Sequence, residues 1–135
     1  METKTSITQL SYDITGLAIK VHKALGPGLL ECVYEKCLKY ELIKNGYDVQ
    51  HQMFVPVIYD DLEMDVDLRL DLLVNDTVVV ELKAIEKTQP VHEAQLLTYM
   101  KLLKKPQGLL INFFTENITK SLKPFVNEYF RELPD

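Results

Sequence analysis

Cysteine is nearly missing from this chain of 135 residues: there are two, Cys32 and Cys37, and both fall in one predicted helix. Five positions apart on a helix they do not face each other, so no disulfide framework is expected and a reducing cytoplasm is the expected setting. Long apolar runs are missing too. No stretch approaches the length of a membrane span, and Met1 to Ser6 lack the apolar run of a signal peptide. Repeats, linkers and low-complexity segments are absent, and residues 1–135 have the length of one domain. Nor is there an excess of positive charge, since 15 Lys and Arg stand against 20 Asp and Glu for a net charge of −5. A general nucleic-acid coat needs a basic surface, so that class is disfavoured. The balance still admits an enzyme that keeps part of its acidity in a metal site.

What is present is an ordinary globular composition, 47% apolar and 26% charged, and one stretch that departs from it. Residues 69–83 read as two strands joined by a turn at Asn75, Asp76 and Thr77. Leu68, Leu70 and Leu72 line the first, and Val78, Val79, Val80 and Leu82 the second. Into this apolar setting the sequence puts Asp71, Glu81 and Lys83. Buried charges are costly unless they share a ligand. Alternation along a strand turns Glu81 and Lys83 to one side. A three-residue loop pairs Val74 with Val78, which sets Asp71 opposite Glu81 and Arg69 opposite Lys83. A two-residue loop would instead put Asp71 beside Val80, so the odd loop is the expected one.

Two facing carboxylates repel, and a cation between them is the usual remedy. With no thiol or histidine cluster nearby, hard oxygen ligands suit Mg²⁺ or Mn²⁺. Lys83 can then orient the attacking water or offset negative charge growing on a phosphate.

Asp71 followed by Glu81-Leu82-Lys83 resembles the catalytic core of the PD-(D/E)xK nuclease superfamily. Gly28-Leu-Leu-Glu31-Cys-Val-Tyr34 is similar to the signature of the GxxExxY family within it. The resemblance extends over His22 to Tyr34, Arg69 to Lys83 and His92 to Tyr99. It implies a restriction-endonuclease-like α/β fold, a central mixed sheet flanked by helices. It also implies a metal-dependent nuclease acting on DNA or RNA, with Asp71, Glu81 and the Leu82 carbonyl as ligands of Mg²⁺ or Mn²⁺. Glu31 would complete that shell directly or through water, and Lys83 would act on the water. On the helix after the hairpin, Gln95 and Tyr99 would contact the phosphate backbone or hold Lys83, with His92 and Arg69 as further substrate contacts. His22 falls where the family also has a histidine, although packing at the helix end explains it equally well.

The remaining chain supplies the frame. A helix is expected over 6–25, capped by Thr5 or Ser6 and ended by Gly26-Pro27-Gly28. A second runs over 29–44, with Glu31 in its first turn, Tyr34 in the core with its hydroxyl towards the site, and Glu35 and Glu41 on a solvated face. Residues 47–59 read as one strand with Val49, His51, Met53, Val55, Val57 and Tyr59 on one side and Pro56 marking an edge. The acidic segment 60–67 reads as a solvated hairpin connection. A third helix starts near Val91, with His92, Gln95 and Tyr99 on one face and Ala94, Leu97, Met100 and Leu103 on another. A strand over 108–114 follows. Residues 117–133 read as a helix that departs from the family pattern and could cover a sheet edge or serve a homodimer contact. Two other functions compete with the nuclease: a catalytically silent module that binds nucleic acid, and a protein-interaction subunit.

Overall fold

Two helices come first in the computed structural model, which describes residues 2–135. Helix α1 spans Lys4–Leu25. Its cap is Thr3, ahead of the expected Thr5 or Ser6: the Thr3 hydroxyl accepts the Ser6 N–H while the Ser6 hydroxyl accepts the Thr3 N–H, at 3.0 and 2.9 Å. Gly26 ends the helix at φ 75°, a left-handed conformation that favours glycine. Helix α2 spans Glu31–Lys44. Between them Tyr34 acts as a clasp. Its hydroxyl donates to the Gly26 carbonyl and accepts the Leu29 N–H at 3.0 Å, while its ring stacks on Phe113 with centroids 4.5 Å apart. The hydroxyl is therefore turned to the inter-helix loop and not to the site, and it fixes where α2, and with it Glu31, begins.

Strands β1 (Val49–Phe54), β2 (Val57–Tyr59), β3 (Leu62–Met64), β4 (Arg69–Val74) and β5 (Val78–Lys83) follow, then helix α3 (Pro90–Leu103) and strand β6 (Gln107–Asn112). The chain closes with the single turn α4 (Ile118–Ser121), strand β7 (Leu122–Val126) and the single turn α5 (Glu128–Arg131). Five strands form one mixed sheet in the order β1-β4-β5-β6-β7, with β5 and β6 parallel and the other pairs antiparallel; β2 and β3 form a separate small hairpin. The central hairpin has the expected odd loop, with Val74 paired to Val78 and Asn75 and Asp76 both left-handed.

Apolar packing covers both faces. Ile14, Ala18, Val21, Leu38 and Leu42 of the first two helices bury against Leu72, Val80, Leu109 and Ile111. On the other face Leu96 and Met100 of α3 pack on Leu73, Val79 and Leu110. Helix α3 comes so close that a Cβ on Gly108 would lie 2.6 Å from the Met100 sulfur. Its buried stripe is Leu96, Tyr99 and Met100, so Tyr99 and Met100, assigned to different faces, are buried together, and Ala94 and Leu97 are exposed. The helix is rolled about its axis so that Tyr99 buries its ring and keeps a polar tip.

Two further expectations are corrected. The strand expected over 47–59 is two strands broken at Pro56, and its residues do not share one side. Val49 packs on the face of α1 and α2, whereas Met53 and Val55 pack on the face of α3. The switch falls at Gln52, whose φ is 51°. The helix expected over 117–133 is a strand between two short turns. Strand β6 is buried along its whole length, and its outer N–H and C=O groups need partners. Residues 122–126 supply them from Gln107↔Val126 to Ile111↔Leu122, an edge position that Pro124 tolerates. The helical spacing of Ile118, Leu122, Phe125 and Tyr129 loses to that demand, and Asn117 and Asn127 each cap a fresh turn. Among the described residues no helix is long and apolar enough to cross a membrane.

Candidate active site

Backbone pairing between β4 and β5 runs from Val74↔Val78 to Leu72↔Val80 and stops there. Beyond that level side chains take over. The Asp71 N–H donates to Glu81 Oε1 at 3.1 Å, and the Leu82 N–H donates to Asp71 Oδ2 at 2.8 Å. The two strands thus part at a fork, and the two carboxylates span it. In extended backbone a residue turns its N–H and C=O to the same side, so the Leu82 carbonyl faces the same gap. The expected pairing of Arg69 with Lys83 is not made. Arg69 pairs with Phe54 across β1 and β4, and its guanidinium binds Asp67 at 2.7 Å in solvent.

Charge in the fork is concentrated. Glu81 is only 5% exposed. Burial, and then the neighbouring Asp71, pushes its carboxyl far above the usual carboxylate range. Glu31, in the first turn of α2, is also raised, first by burial and then by Asp71 and Glu35, with Lys83 pulling the other way. Lys83 is half-buried and makes no ion pair among the described residues. Tyr99 is raised by burial and by Glu81, and Gln95 donates its amide to the Tyr99 hydroxyl at 3.0 Å. Glu31, Asp71, Glu81, Lys83, Gln95 and Tyr99 are thus gathered about one fork.

A match to the family model of the PD-(D/E)XK nuclease superfamily covers residues 8–125. The chain belongs to this superfamily. No curated protein and no solved structure matches it. The five-stranded mixed sheet with helices on both faces is the restriction-endonuclease-like fold of PD-(D/E)XK nucleases, enzymes that act on nucleic acid and typically use divalent metal ions.

In this superfamily member two candidate contacts are otherwise engaged. His92 accepts the Gln89 N–H at Nδ1, 2.8 Å away, and so completes the capping box of α3. His22 binds the Thr115 carbonyl at 2.8 Å and leans on Phe113, a packing role. Three residues of the site escaped the sequence reading. Glu35, expected in solvent, is 7% exposed. It accepts the Gln52 amide at 2.6 Å and lies 3.6 Å from His51. The same Gln52 nitrogen donates to Asp71 Oδ1 at 3.3 Å. One signal was available: Glu35 is one helical turn beyond Glu31, and residues at i and i+4 share a face.

The donor set fits a hard divalent cation. Asp71, Glu81 and the Leu82 carbonyl offer oxygen alone, and the two carboxylates, one buried and one half-buried, make no ion pair among the described residues. Among the described residues no three Asp, Glu, His or Cys side chains converge as a ready-made cage.

Gln52 keeps Asp71 and Glu35 apart by giving one amide hydrogen to each. Gln52→Ala is therefore expected to cost about 1–3 kcal/mol of stability at neutral pH, the penalty of leaving buried acceptors unpaired. The loss should shrink at acid pH, where protonated carboxyls bond to each other. Thermal melts of both proteins at several pH values decide this, and a loss independent of pH would count against the clamp.

Proposed function

We propose that this chain is a nuclease of the GxxExxY type that hydrolyses phosphodiester bonds in DNA, with RNA as the second candidate polymer, and uses Mg²⁺ or Mn²⁺ in the cytoplasm. The observation that carries the reading is the fork: backbone pairing ends where Asp71 and Glu81 begin, and Lys83 follows on the same side as Glu81. Asp71, Glu81 and the Leu82 carbonyl would hold the cation, with Glu31 reached through water. Bound there, the cation neutralises the carboxylate pair and supplies Lewis-acid stabilisation to the phosphate. Lys83 directs the attacking water and offsets charge growing on the phosphate oxygens. Tyr99, braced by Gln95, holds a hydroxyl beside Glu81 and fits a contact to the substrate backbone.

One observation favours a silent binding module instead. Both oxygens of Asp71 already accept protein N–H groups, so a cation must share them or displace one. A single experiment separates the two: incubation of the purified protein with single- and double-stranded DNA and RNA, with Mg²⁺, Mn²⁺ or chelator. Cleavage that chelator stops is the expected result. No cleavage of any polymer, with no cation binding that Asp71→Asn removes in calorimetry, would leave a nuclease fold put to another use.

A further inference from the structure

A groove opens where β5 leaves the sheet. In the parallel register Asn112 stands beside Lys83, and Ser121 lies beyond it, its hydroxyl donating to the Asn112 carbonyl at 2.6 Å. Two interstrand steps separate the Lys83 backbone from that position, about 10 Å. The Asn112 side chain also pins the loop after β5, accepting the Ile85 N–H at 3.2 Å and donating to the Ile85 carbonyl at 2.8 Å. Held in this way, the loop leaves a cavity of about 250 Å³ between itself and residues 114–123. Lys87, Lys120, Lys123 and Phe114 line it, and Glu86 is the one acidic residue in the lining.

Phe114 is 48% exposed, although its backbone N–H is fixed by Asn112 Oδ1 at 3.2 Å. An aromatic ring on a fixed backbone position is thus left open to solvent among lysines, in a chain whose net charge is −5. Lys123 is held by Glu93 at 3.1 Å. Lys87 and Lys120 make no ion pair among the described residues. An open aromatic face beside free cations binds unpaired bases, whose own faces are available, while a base inside a duplex has its faces covered by its neighbours. The volume is smaller than the roughly 300–1,000 Å³ of pockets that enclose a drug-sized ligand, and suits one nucleobase.

We propose that this groove is a nucleotide subsite for a single-stranded or frayed strand, one or two nucleotides from the phosphate to be cut. The base stacks on Phe114 and its phosphate sits between Lys87 and Lys120. Its placement along the substrate rests on the nuclease reading above, but its ability to bind does not.

Fluorescence anisotropy in chelator, where nothing is cleaved, tests it with labelled oligo(dT), oligo(U) and a blunt DNA duplex of the same length. Wild type is expected to bind the single strands more tightly than the duplex. Phe114→Ala should weaken single-strand binding on the order of tenfold and leave duplex binding unchanged, while Phe114→Trp restores it. Lys120→Ala should flatten the salt dependence by about one counterion. Equal affinity for single strand and duplex, no binding of either single strand, or a silent Phe114→Ala with an unchanged melting curve overturns the subsite. Cleavage is scored separately. Binding that depends on Phe114 without cleavage removes the nuclease reading and keeps the subsite; cleavage with a silent Phe114→Ala does the reverse.

Discussion

Lys83→Ala is expected to lower the rate of phosphodiester cleavage by about 10²–10⁴-fold, the range over which a positioned proton-transfer or charge-stabilising group acts. The fold should survive. Lys83 ends β5, is half-buried, and forms no ion pair among the described residues, so no salt bridge is lost with it. What is lost is the one positive charge that acts against the raised pKa of Glu31. Lys83→Arg keeps that charge but changes its reach and geometry, and should recover part of the rate. The measurement is single-turnover cleavage beside circular dichroism and a melting curve. A Lys83→Ala protein that no longer folds would make the lysine structural, and one that cleaves at the wild-type rate would remove it from the chemistry.

Glu81→Gln should have two large and opposite effects. In the protein without metal, burial and then Asp71 push the Glu81 carboxyl up from 4.5 to about 9, so it keeps its proton at neutral pH. The folded value lies above the unfolded one. Its contribution to stability is therefore complete below about pH 4.5 and is lost as pH rises towards 9, by at most about 1.4 kcal/mol for each pH unit. Glutamine cannot ionise, so the metal-free variant should be the more stable protein at alkaline pH, with a melting temperature that no longer falls through this window. A cation requires the ionised carboxylate. Binding to wild type should thus release about one proton at neutral pH and tighten as pH rises. The variant should show neither binding nor Mg²⁺-dependent stabilisation. Melts with chelator and with Mg²⁺ across this pH range, together with calorimetry in two buffers of different ionisation enthalpy, measure both effects. Stabilisation of Glu81→Gln by Mg²⁺ equal to that of wild type would take Glu81 out of the metal site.

The hairpin at the heart of the site was legible because strand alternation has a period of two residues. Once the loop is odd, Asp71 must face Glu81, and the observed Val74↔Val78 pairing follows the same rule. The end of the backbone ladder was not legible. It depends on carboxylates accepting the N–H groups of the opposite strand, and no local pattern encodes that choice. Gln52 was hidden for a related reason. A left-handed conformation is rare for glutamine, and its amide is aimed by a contact with Glu35, which lies seventeen positions away. The C-terminal segment misled because its apolar spacing suits a helix, while the partner that makes it a strand, β6, lies elsewhere in the sequence. The family match runs to residue 125, through most of that strand.

The sheet's outermost strands bear on how copies of the chain can meet. An open β-edge is a template on which another chain can lay down a strand. Strand β7 carries Pro124, which has no N–H to offer, next to the charged Lys123; at the opposite border, the left-handed Gln52 kinks β1 out of line. Both borders therefore resist strand addition. Strand addition to the five-stranded sheet is thus disfavoured at both ends, at one of them by the same glutamine that clamps Asp71.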